Sequence, residues 1–550
     1  MADYDEYFLP LDNLNEQRKL FNDLLDICFD FYSGKTRNNR FLNYKSSEEL
    51  KEIVSEDMPR KGTGLKSAIN ILNNEVGKYS IAQFDDNYLA FPDSGNAVPA
   101  ILADIYSKFI NQNMIAVSRS APIATFIEIQ LIEWLRQLIG FEHKSLNKVN
   151  SLTDVSGMVT TGGHMSNHIA ILAALNHAFP EIKKKGISSI NEQPAIILAG
   201  SISHYSFSSA LHHLGIGQDG LLVAGSTKDY KINIKDVEEL LINPPVGKRP
   251  FMVVGVAGNT RTTSIDNLLA LAKLCKKHKV WFHIDACHGG ALLFSSTYRK
   301  MLAGMEQSDS VSLDPHKGLF LPYPLSFVMF KKRDTLTQFT RYEDDVRNGL
   351  TWDLGYINPF YGSRGSESLK LWLMIKTMGL DILEKVIDDR QKNAKFASDL
   401  IRKSGYFSIF NEMSFYRLAF VYFPNSVRQV LKNKSISISQ KVSIKNLIDY
   451  YTHNINEELY TTGSLCMDEF KLDDLSDATK LCLKEKFVVM SITIGNPRQN
   501  TTKIRKSLDI LFDKCAYYES QFTNDINEII EYNKDHGNTS DRPYGPAGWQ

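Results

Sequence analysis

The segment from 280 to 285 reads Val280-Trp281-Phe282-His283-Ile284-Asp285, an apolar run that ends at an aspartate. A second strand-like segment, at 312 to 317, reads Ser312-Leu313-Asp314-Pro315-His316-Lys317 and ends at a lysine. Short, continuous apolar runs are typical of buried strands in a parallel sheet. In such sheets ligands bind beyond the carboxyl ends of the strands. We therefore expect Asp285 and Lys317 to face one ligand at the edge of an α/β sheet.

Further runs of the same kind place these two segments in a larger sheet. Short apolar runs alternate with helical stretches between Gly157 and Lys332. This alternation predicts an α/β fold with a mostly parallel, seven-stranded sheet and helices on both faces. The predicted strands cover 158–161, 195–199, 221–224, 251–256, 280–284, 310–313 and 326–330.

The regions on either side of the sheet have different patterns. Before it, apolar residues three to four apart predict helices over 14–31, 66–77, 99–109 and 124–139. After it, the pattern predicts strands at 415–423 and 487–494 and helices at 427–451 and 501–522. The predicted organisation is an N-terminal helical segment (1–100), a large domain (101–380), a small C-terminal α+β domain (381–523) and a disordered tail (524–550).

The composition narrows the class of protein. With 550 residues and 43% hydrophobic side chains, the chain can bury a large core. Lysine plus arginine equals aspartate plus glutamate at 63 each, so no overall charge recruits nucleic acid or a membrane surface. The acidic N-terminus, the lack of a long apolar stretch and six cysteines without CxxC spacing predict a cytoplasmic protein with reduced thiols.

Asp285 and Lys317 are the residue types that a pyridine-aldehyde coenzyme requires. A lysine amine forms a Schiff base with the aldehyde, and burial near positive charge would lower the lysine pKa and free the amine. A carboxylate beside the ring nitrogen keeps it protonated, so that the ring accepts electrons. Three other interpretations stay open: a structural aspartate, a metal site of His283, Asp285 and His288, and a solvated surface lysine.

Three further strand ends add polar groups. The turn Thr160-Thr161-Gly162-Gly163-His164-Met165-Ser166-Asn167 precedes a helix, where backbone amides and the Ser166 hydroxyl can hold a phosphate. An ordinary strand-to-helix turn explains the same pattern. His204 and Thr260 each follow a strand, and His204 can stack on a flat ring, although a hydrogen-bonded loop histidine is an equal alternative.

Over residues 85–520 the chain resembles the group II pyridoxal-phosphate-dependent amino-acid decarboxylases, because its motifs follow one another in the same order as in that family. The family includes the aromatic-amino-acid, glutamate, histidine and diaminobutyrate enzymes. The resemblance is carried by Gly162 to Asn167, Ser203-His204-Tyr205-Ser206, Ala257-Gly258-Asn259-Thr260 with Ser264-Ile265-Asp266, His283-Ile284-Asp285-Ala286-Cys287 and Asp314-Pro315-His316-Lys317. Weaker support comes from Phe91-Pro92 and from Arg364 with Leu369-Lys370-Leu371-Trp372. The resemblance implies the type I aminotransferase-like fold, pyridoxal 5'-phosphate as coenzyme, and a homodimer whose active sites lie at the subunit interface.

The same resemblance implies roles for single residues. Lys317 would be the Schiff-base lysine, Asp285 the partner of the pyridinium, and His204 the stacking residue and a candidate acid. The other implied coenzyme contacts are Gly163, His164, Met165, Ser166, Thr260, Cys287, Asp314 and His316, of which the Met165 backbone, Ser166 and His316 would hold the phosphate.

This chain departs from its relatives at several positions. Relatives often carry Asn-Pro-His-Lys and Asp-Ala-Ala where this chain has Asp314 and Cys287. The segment between Lys332 and Gly362 is shorter than in the aromatic-amino-acid enzymes. It should hold a mobile loop with a tyrosine acid, for which Tyr342 and Tyr356 are the candidates.

The predicted substrate contacts are Phe91, Asp93, Arg119, Tyr356 and Arg364. The segment 115–122 resembles a stretch that contributes to the partner subunit's pocket, and it lacks aromatic residues suited to an indole or a catechol. Arg119 can meet a side-chain carboxylate, although its residue type alone favours a solvent-facing or interface arginine.

We therefore predict that the protein decarboxylates an L-amino acid to the amine and carbon dioxide, through a Lys317 Schiff base and without a metal. The alternatives with the same coenzyme are oxidation to an aldehyde and carbon-carbon lyase chemistry. A catalytically silent scaffold is the alternative from another class.

Overall fold

The strands of this protein form two separate sheets. The computed structural model describes residues 5–10, 14–200, 203–340, 342–432 and 436–535. The tail predicted to be disordered therefore lies outside the described residues from 536 onwards. In the described part of the chain, no helix combines the length and the apolarity needed to cross a bilayer.

The larger sheet has seven strands, as predicted. In spatial order it runs β1-β7-β6-β5-β4-β2-β3, with parallel pairing from β3 through β2, β4 and β5 to β6, and with β7 antiparallel to both of its neighbours. The strands are β1 (Gly157–Thr160), β2 (Gln193–Ala199), β3 (Leu221–Ala224), β4 (Lys248–Val256), β5 (Trp281–Ala286), β6 (Ser310–Leu313) and β7 (Ser326–Phe330).

Helices surround this sheet and its smaller neighbour. Their bounds are α1 (Asn15–Ser33), α2 (Ser47–Val54), α3 (Leu65–Ile71), α4 (Val98–Ile110), α5 (Pro122–Ile139), α6 (Gly163–Ala178), α7 (Ile182–Lys185), α8 (Ser206–His213), α9 (Ile234–Ile242), α10 (Leu268–His278), α11 (Pro315–Gly318), α12 (Glu343–Arg347), α13 (Ser368–Lys403), α14 (Asn425–Val430), α15 (Ile438–Thr461) and α16 (Thr501–Asp535). The sheet strands are buried almost throughout, which explains why their sequences are continuous apolar runs.

The register of the central strands fixes where the polar strand ends meet. Asp285 near the end of β5 lies opposite Val256, the last residue of β4, and opposite Ser312 of β6. Lys317 lies on α11, the single turn that follows β6. The carboxyl ends of β4, β5 and β6 therefore bring Asp285 and Lys317 to the same edge of the sheet.

The smaller sheet contains two strands that the sequence did not predict. Its order is β10-β11-β9-β8, all antiparallel, with β8 (Phe407–Ile409), β9 (Arg417–Tyr422), β10 (Asp468–Asp473) and β11 (Lys486–Thr493). Both missed strands are edge strands. One has three residues, and the other carries charged side chains at four of its six positions, so neither has an apolar run.

Three helical predictions need correction. The closing helix does not end at residue 522 but continues to Asp535, because Ile526 and Ile529 continue its buried stripe after Phe522. The predicted disorder therefore does not begin at 524. The stretch 427–451 is divided between α14 and α15, and the stretch 66–77 ends as α-helix at Ile71 and continues as a π-helix to Val76.

The predicted boundary at 380 falls close to a kink in α13. Within this helix Gly379 has φ 66° and ψ 173°, values outside the helical region, so two helical segments meet there at an angle. A glycine tolerates this left-handed φ without a steric penalty. The domain limits themselves stay a prediction.

Candidate active site

A cavity of about 280 Å³ opens at the carboxyl ends of β1, β2, β4, β5 and β6. Its lining contains most of the coenzyme residues predicted from the sequence, brought together from five different strand ends. They are Gly163, His164, His204, Thr260, Asp285, Cys287, Asp314, His316 and Lys317. The two predicted residues that do not line it are Met165 and Ser166, which follow on α6.

Lys317 is paired with an acid. Its Nζ lies 3.0 Å from Oδ2 of Asp314, and the Asp314 side chain is 1% exposed. Burial by itself lowers the pKa of Lys317, but the negative charges of Asp314 and Asp285 outweigh it and raise the pKa above the usual value. The expectation that the pKa of Lys317 is lowered is therefore wrong, since the neighbouring charge is negative rather than positive.

Asp285 is a buried carboxylate with both oxygens bonded. Oδ1 accepts a hydrogen bond from the backbone N–H of Cys287 at 3.1 Å, and Oδ2 accepts one from Nδ2 of Asn167 at 3.1 Å. The side chain lines the cavity and its residue is 7% exposed. Hydrogen bonds to the ionised form stabilise a carboxylate that has left water.

Behind Asp285 runs a chain of hydrogen bonds whose directions are set by its ends. Trp281 can only donate, so its Nε1–H donates to Oγ of Ser310 (2.8 Å), and the same Oγ lies 2.8 Å from Nδ1 of His283. His283 is fully buried with a pKa lowered to about 4 by desolvation, so it is neutral. At the other end, Nδ2 of Asn167 donates to Asp285, so Oδ1 of Asn167 accepts from Nε2 of His283 at 3.1 Å. Nδ1 of the neutral ring then accepts from the Ser310 hydroxyl.

The Asn167 amide joins this chain of bonds to the carboxylate. With Oδ1 facing His283, Nδ2 faces Asp285 and Oγ of Ser206, the latter at 3.0 Å. The carboxamide therefore presents its donor, not its acceptor, to the carboxylate. The sequence contained Asn167 and His283 within its motifs, but no local pattern shows that residues 116 positions apart meet.

The glycine turn between β1 and α6 forms a close wall of the cavity. A Cβ on Gly163 would lie 2.3 Å from Sγ of Cys287 and 2.9 Å from Oδ2 of Asp314, so only glycine fits there. The turn leads directly into the N-terminus of a 16-residue helix, where backbone N–H groups attract an anion. Ser166 is buried and its Oγ lies 2.7 Å from Oγ1 of Thr160.

His204 lines the cavity together with Lys317 and Asp285. Its Nδ1 accepts the backbone N–H of Ser206 at 3.2 Å. Burial lowers the pKa of the imidazole, so the ring is neutral and its proton lies on Nε2. His204 can therefore stack on a flat ring and still donate one hydrogen bond through Nε2–H.

His288 and Tyr323 are among the cavity residues that were not predicted as coenzyme or substrate contacts. His288 is 5% exposed, and its Nδ1 lies 2.7 Å from the hydroxyl of Tyr416. Tyr323 lies in the Leu321-Pro322-Tyr323-Pro324 turn, with its ring 4.5 Å from that of His316. The only sequence signal for them was proximity, since His288 follows Asp285 by three positions and Tyr323 follows Lys317 by six.

Of the predicted substrate contacts, none lines this cavity in the described part of the chain. Asp93 is buried close by, whereas Arg119 and Phe91 are exposed. Arg364 is engaged by Glu128, with NH1 donating to Oε2 at 2.9 Å. Tyr356 is partly buried and lies outside the cavity lining.

The two tyrosines proposed for the mobile loop contact each other. The rings of Tyr342 and Tyr356 stack at 4.4 Å with an interplanar angle of 23°. A third tyrosine of the same segment reaches the cavity wall, because the hydroxyl of Tyr361 lies 2.7 Å from Oγ1 of Thr161. The identity of a loop acid stays a prediction.

The groups considered for a metal site have other partners. His283 bonds to Ser310 and Asn167, and His288 bonds to Tyr416. Among the described residues, no group of three or more histidine, cysteine or acidic side chains is arranged to hold a metal ion.

The cavity suits a phosphorylated pyridine aldehyde. Gly163 packs against Cys287 and Asp314 without space for a Cβ, Oδ1 of Asp314 is buried without a partner, and Lys317 and Asp285 line the same cavity. The glycine turn at the start of α6 supplies an anion-binding helix end.

Comparison with known proteins agrees with this chemistry. Residues 48–423 match the family described as "Pyridoxal-dependent decarboxylase conserved domain". This chain belongs to that family. Its members' coenzyme, pyridoxal 5'-phosphate, is therefore the coenzyme of this pyridoxal-dependent decarboxylase, an amino-acid carboxy-lyase.

The relatives of this decarboxylase are distant but match over most of their length. Mouse cysteine sulfinic acid decarboxylase is 26% identical over 436 residues, which cover 77% of this chain and 84% of the mouse protein. Aspartate 1-decarboxylase from Aliivibrio fischeri is 26% identical over 466 residues, 82% of this chain and 83% of that protein. The crystal structure of mouse CSAD superposes with a TM-score of 0.79 at 24% identity, covering 90% of this chain and 98% of that one.

Proposed function

We propose that this decarboxylase removes the α-carboxyl group of an L-amino acid as carbon dioxide, with Lys317 as the residue that binds the coenzyme covalently. The observation that carries the proposal is that the Lys317 amine and the Asp285 carboxylate line one cavity, at the ends of adjacent strands β6 and β5. When bound, the coenzyme supplies a protonated pyridine ring that accepts the electrons of the bond broken at Cα.

The side chains around the cavity would divide the remaining tasks. Asp285, fixed by the amide of Asn167, would stabilise positive charge at the ring nitrogen. The turn at Gly163 would hold the phosphate at the helix N-terminus. His204 would cover the ring and donate a hydrogen bond through its Nε2–H. To return a proton to Cα it would act as the imidazolium, after taking up a second proton.

The test uses the full chain reconstituted with pyridoxal 5'-phosphate. We expect an amino-acid substrate to yield equal amounts of carbon dioxide and amine without oxygen uptake. Replacing Lys317→Ala should abolish both products, whereas Lys332→Ala, at an exposed lysine paired with Asp334, should leave them unchanged. An aldehyde with oxygen uptake would identify the oxidative alternative, and full activity of Lys317→Ala would refute the proposal.

We also propose that the enzyme acts as a homodimer. One face of α4 exposes five large apolar side chains: Val98, Leu102, Ile105, Tyr106 and Phe109. The ring of Phe109 contacts that of Phe21 on α1. Helix α1 also carries Phe29, which is 67% exposed, so the apolar surface continues from α4 onto α1. Such a patch favours burial against a second copy. Light scattering should give a mass near twice 62.3 kDa, and a monomeric holoenzyme with full activity would contradict the dimer.

For the compartment, we propose the cytoplasm. All six cysteines are free thiols, two exposed and four buried. Free thiols persist in a reducing compartment. Fractionation of the native cells should recover the activity with cytoplasmic markers, and recovery with an extracellular fraction would contradict this location.

A further inference from the structure

A buried carboxyl group, that of Asp93, lies next to the cavity without lining it. Asp93 is 9% exposed, and its Oδ1 has no hydrogen-bond partner. Burying an unpartnered carboxylate oxygen costs stability, so a group of this kind usually has a partner that arrives with a ligand.

The chain around Asp93 is held against the turn that follows Lys317. The backbone N–H of Ala97 donates to the carbonyl of Phe320 at 3.1 Å, and a Cβ on Gly95 would lie 3.8 Å from Cα of Pro322. On the other side, Nδ2 of Asn96 donates to Oδ1 of Asn496 at 3.2 Å. Asp93 is thus fixed by rigid neighbours rather than carried on a free loop.

Tyr323 connects this carboxyl group to the cavity. The tyrosine lines the cavity, and its hydroxyl is within hydrogen-bonding reach of the Asp93 carboxyl. The phenol O–H can donate to only one partner. If the Tyr323 O–H donates to Asp93, the phenol oxygen can still accept a hydrogen bond from a donor in the cavity. The Asp93 carboxylate beside it can only accept.

The charges of the surrounding groups favour a cationic ligand. Of the lysine and arginine side chains in the described part of the chain, Lys317 alone lines the cavity, and the coenzyme engages it. Burial raises the pKa of Asp93, partly offset by Tyr323, Lys317 and His316, and an ammonium group beside the carboxyl would favour its ionised form. A substrate carboxylate or sulfinate at this position would instead meet a like charge.

The geometry points to Asp93 and Tyr323 as the residues that select the substrate side chain, and to a diamino acid with a terminal ammonium group as the substrate class. This inference rests on the proposed decarboxylation, because it assigns the substrate of that same cavity. Asp93 would pair with the ammonium group, and Tyr323 would accept a second hydrogen bond from it.

The experiment measures substrate binding and turnover separately on the full-length holoenzyme. Binding is followed by the change in the coenzyme's visible absorption on titration with L-2,4-diaminobutyrate, L-ornithine, L-aspartate, L-cysteine sulfinate and L-norvaline. Turnover is followed by carbon dioxide release. We expect the two diamino acids to bind at least about tenfold more tightly than the acidic pair.

Two variants test the residues. Asp93→Asn keeps the shape but removes the charge, and should weaken diamino-acid binding on the order of 10- to 100-fold while leaving norvaline within about threefold. Tyr323→Phe removes only the hydroxyl and should give a smaller loss of the same sign. Unchanged coenzyme absorption verifies that each variant is folded around its coenzyme.

The outcomes separate this inference from the proposed function. Selective binding of diamino acids without carbon dioxide release would support Asp93 and refute decarboxylation. Carbon dioxide release that prefers aspartate or cysteine sulfinate, with no effect of Asp93→Asn on selectivity, would overturn the inference and keep the decarboxylase.

Discussion

Nδ2 of Asn167 donates to Oδ2 of Asp285 at 3.1 Å, and the other end of the same amide accepts from His283. The carboxylate that would face the coenzyme ring is therefore positioned by a residue from a different element, α6. The amide cannot rotate without losing both bonds, since its oxygen would then face the carboxylate.

Replacing Asn167→Leu should weaken coenzyme binding. The variant keeps the size of the side chain but removes a charge-assisted hydrogen bond worth about 1.5–3 kcal/mol, so we expect a loss on the order of 10- to 100-fold in coenzyme affinity. Ser206→Ala is the matched control, because it removes the other partner of Nδ2 and leaves Asp285 bonded. Equal losses in the two variants, measured by absorption titration of the apoenzyme, would contradict a specific role for the bond to Asp285.

Replacing Gly163→Ala should lower the thermal midpoint of the apoprotein. The added Cβ would lie 2.3 Å from Sγ of Cys287, well inside van der Waals contact. The double variant with Cys287→Ala should recover part of the loss, since it removes that sulfur. Gly162→Ala has open space around its Cβ and an extended φ of 176°, so it should leave the midpoint nearly unchanged. Calorimetry that found the two glycine variants equally stable would show that the turn adapts.

Acid should destabilise the protein through His283. Its pKa is about 4 in the folded chain against 6.5 as the ordinary value, so between these values the unfolded chain binds the extra proton. Stability is therefore lost as pH falls from 6.5 towards 4, by an amount on the order of 3 kcal/mol from this group. In the variant His283→Gln, whose side chain does not titrate, the urea midpoint of unfolding should fall less with decreasing pH than in the unaltered protein. Parallel pH curves for the two proteins would rule out this origin of the acid sensitivity.

Replacing Asp314→Asn should change how fast Lys317 captures its coenzyme. Asp314 holds the pKa of Lys317 above its usual value, so its removal should lower that pKa and increase the fraction of free amine at neutral pH. We measure how fast visible absorption returns when apoenzyme is mixed with pyridoxal 5'-phosphate. This rate should rise in the variant, and the pH at which it increases should be lower than in the unaltered protein. A slower return with an unshifted pH dependence would contradict this effect of the ion pair.

The sequence was informative where local pattern and position at a strand end coincide. Asp285 and Lys317 could be paired because each follows an apolar run, and parallel strands deliver their carboxyl ends to one edge. Gly163 could be assigned to a turn before a helix for the same reason. These inferences need only the short-range pattern together with the general geometry of α/β sheets.

Long-range contacts account for what the sequence did not predict. The contact of Asn167 with His283 depends on how separate elements pack. The pair of Asp314 and Lys317 is local, three positions apart, but the sequence does not show that the two side chains turn towards each other. The ion pair of Arg364 likewise joins it to Glu128, 236 positions away, and no local pattern reveals such a partner. Edge strand β10 was missed because its charged residues hide the alternation that a half-buried strand usually shows.

The central claim is that Lys317 binds the coenzyme, and chemical reduction tests it most directly. Borohydride treatment of the holoenzyme fixes the coenzyme to the lysine that holds it, and peptide mass spectrometry then locates the label. We predict one labelled site per chain, at Lys317. A label on another lysine, with the Lys317 peptide unmodified, would contradict the account.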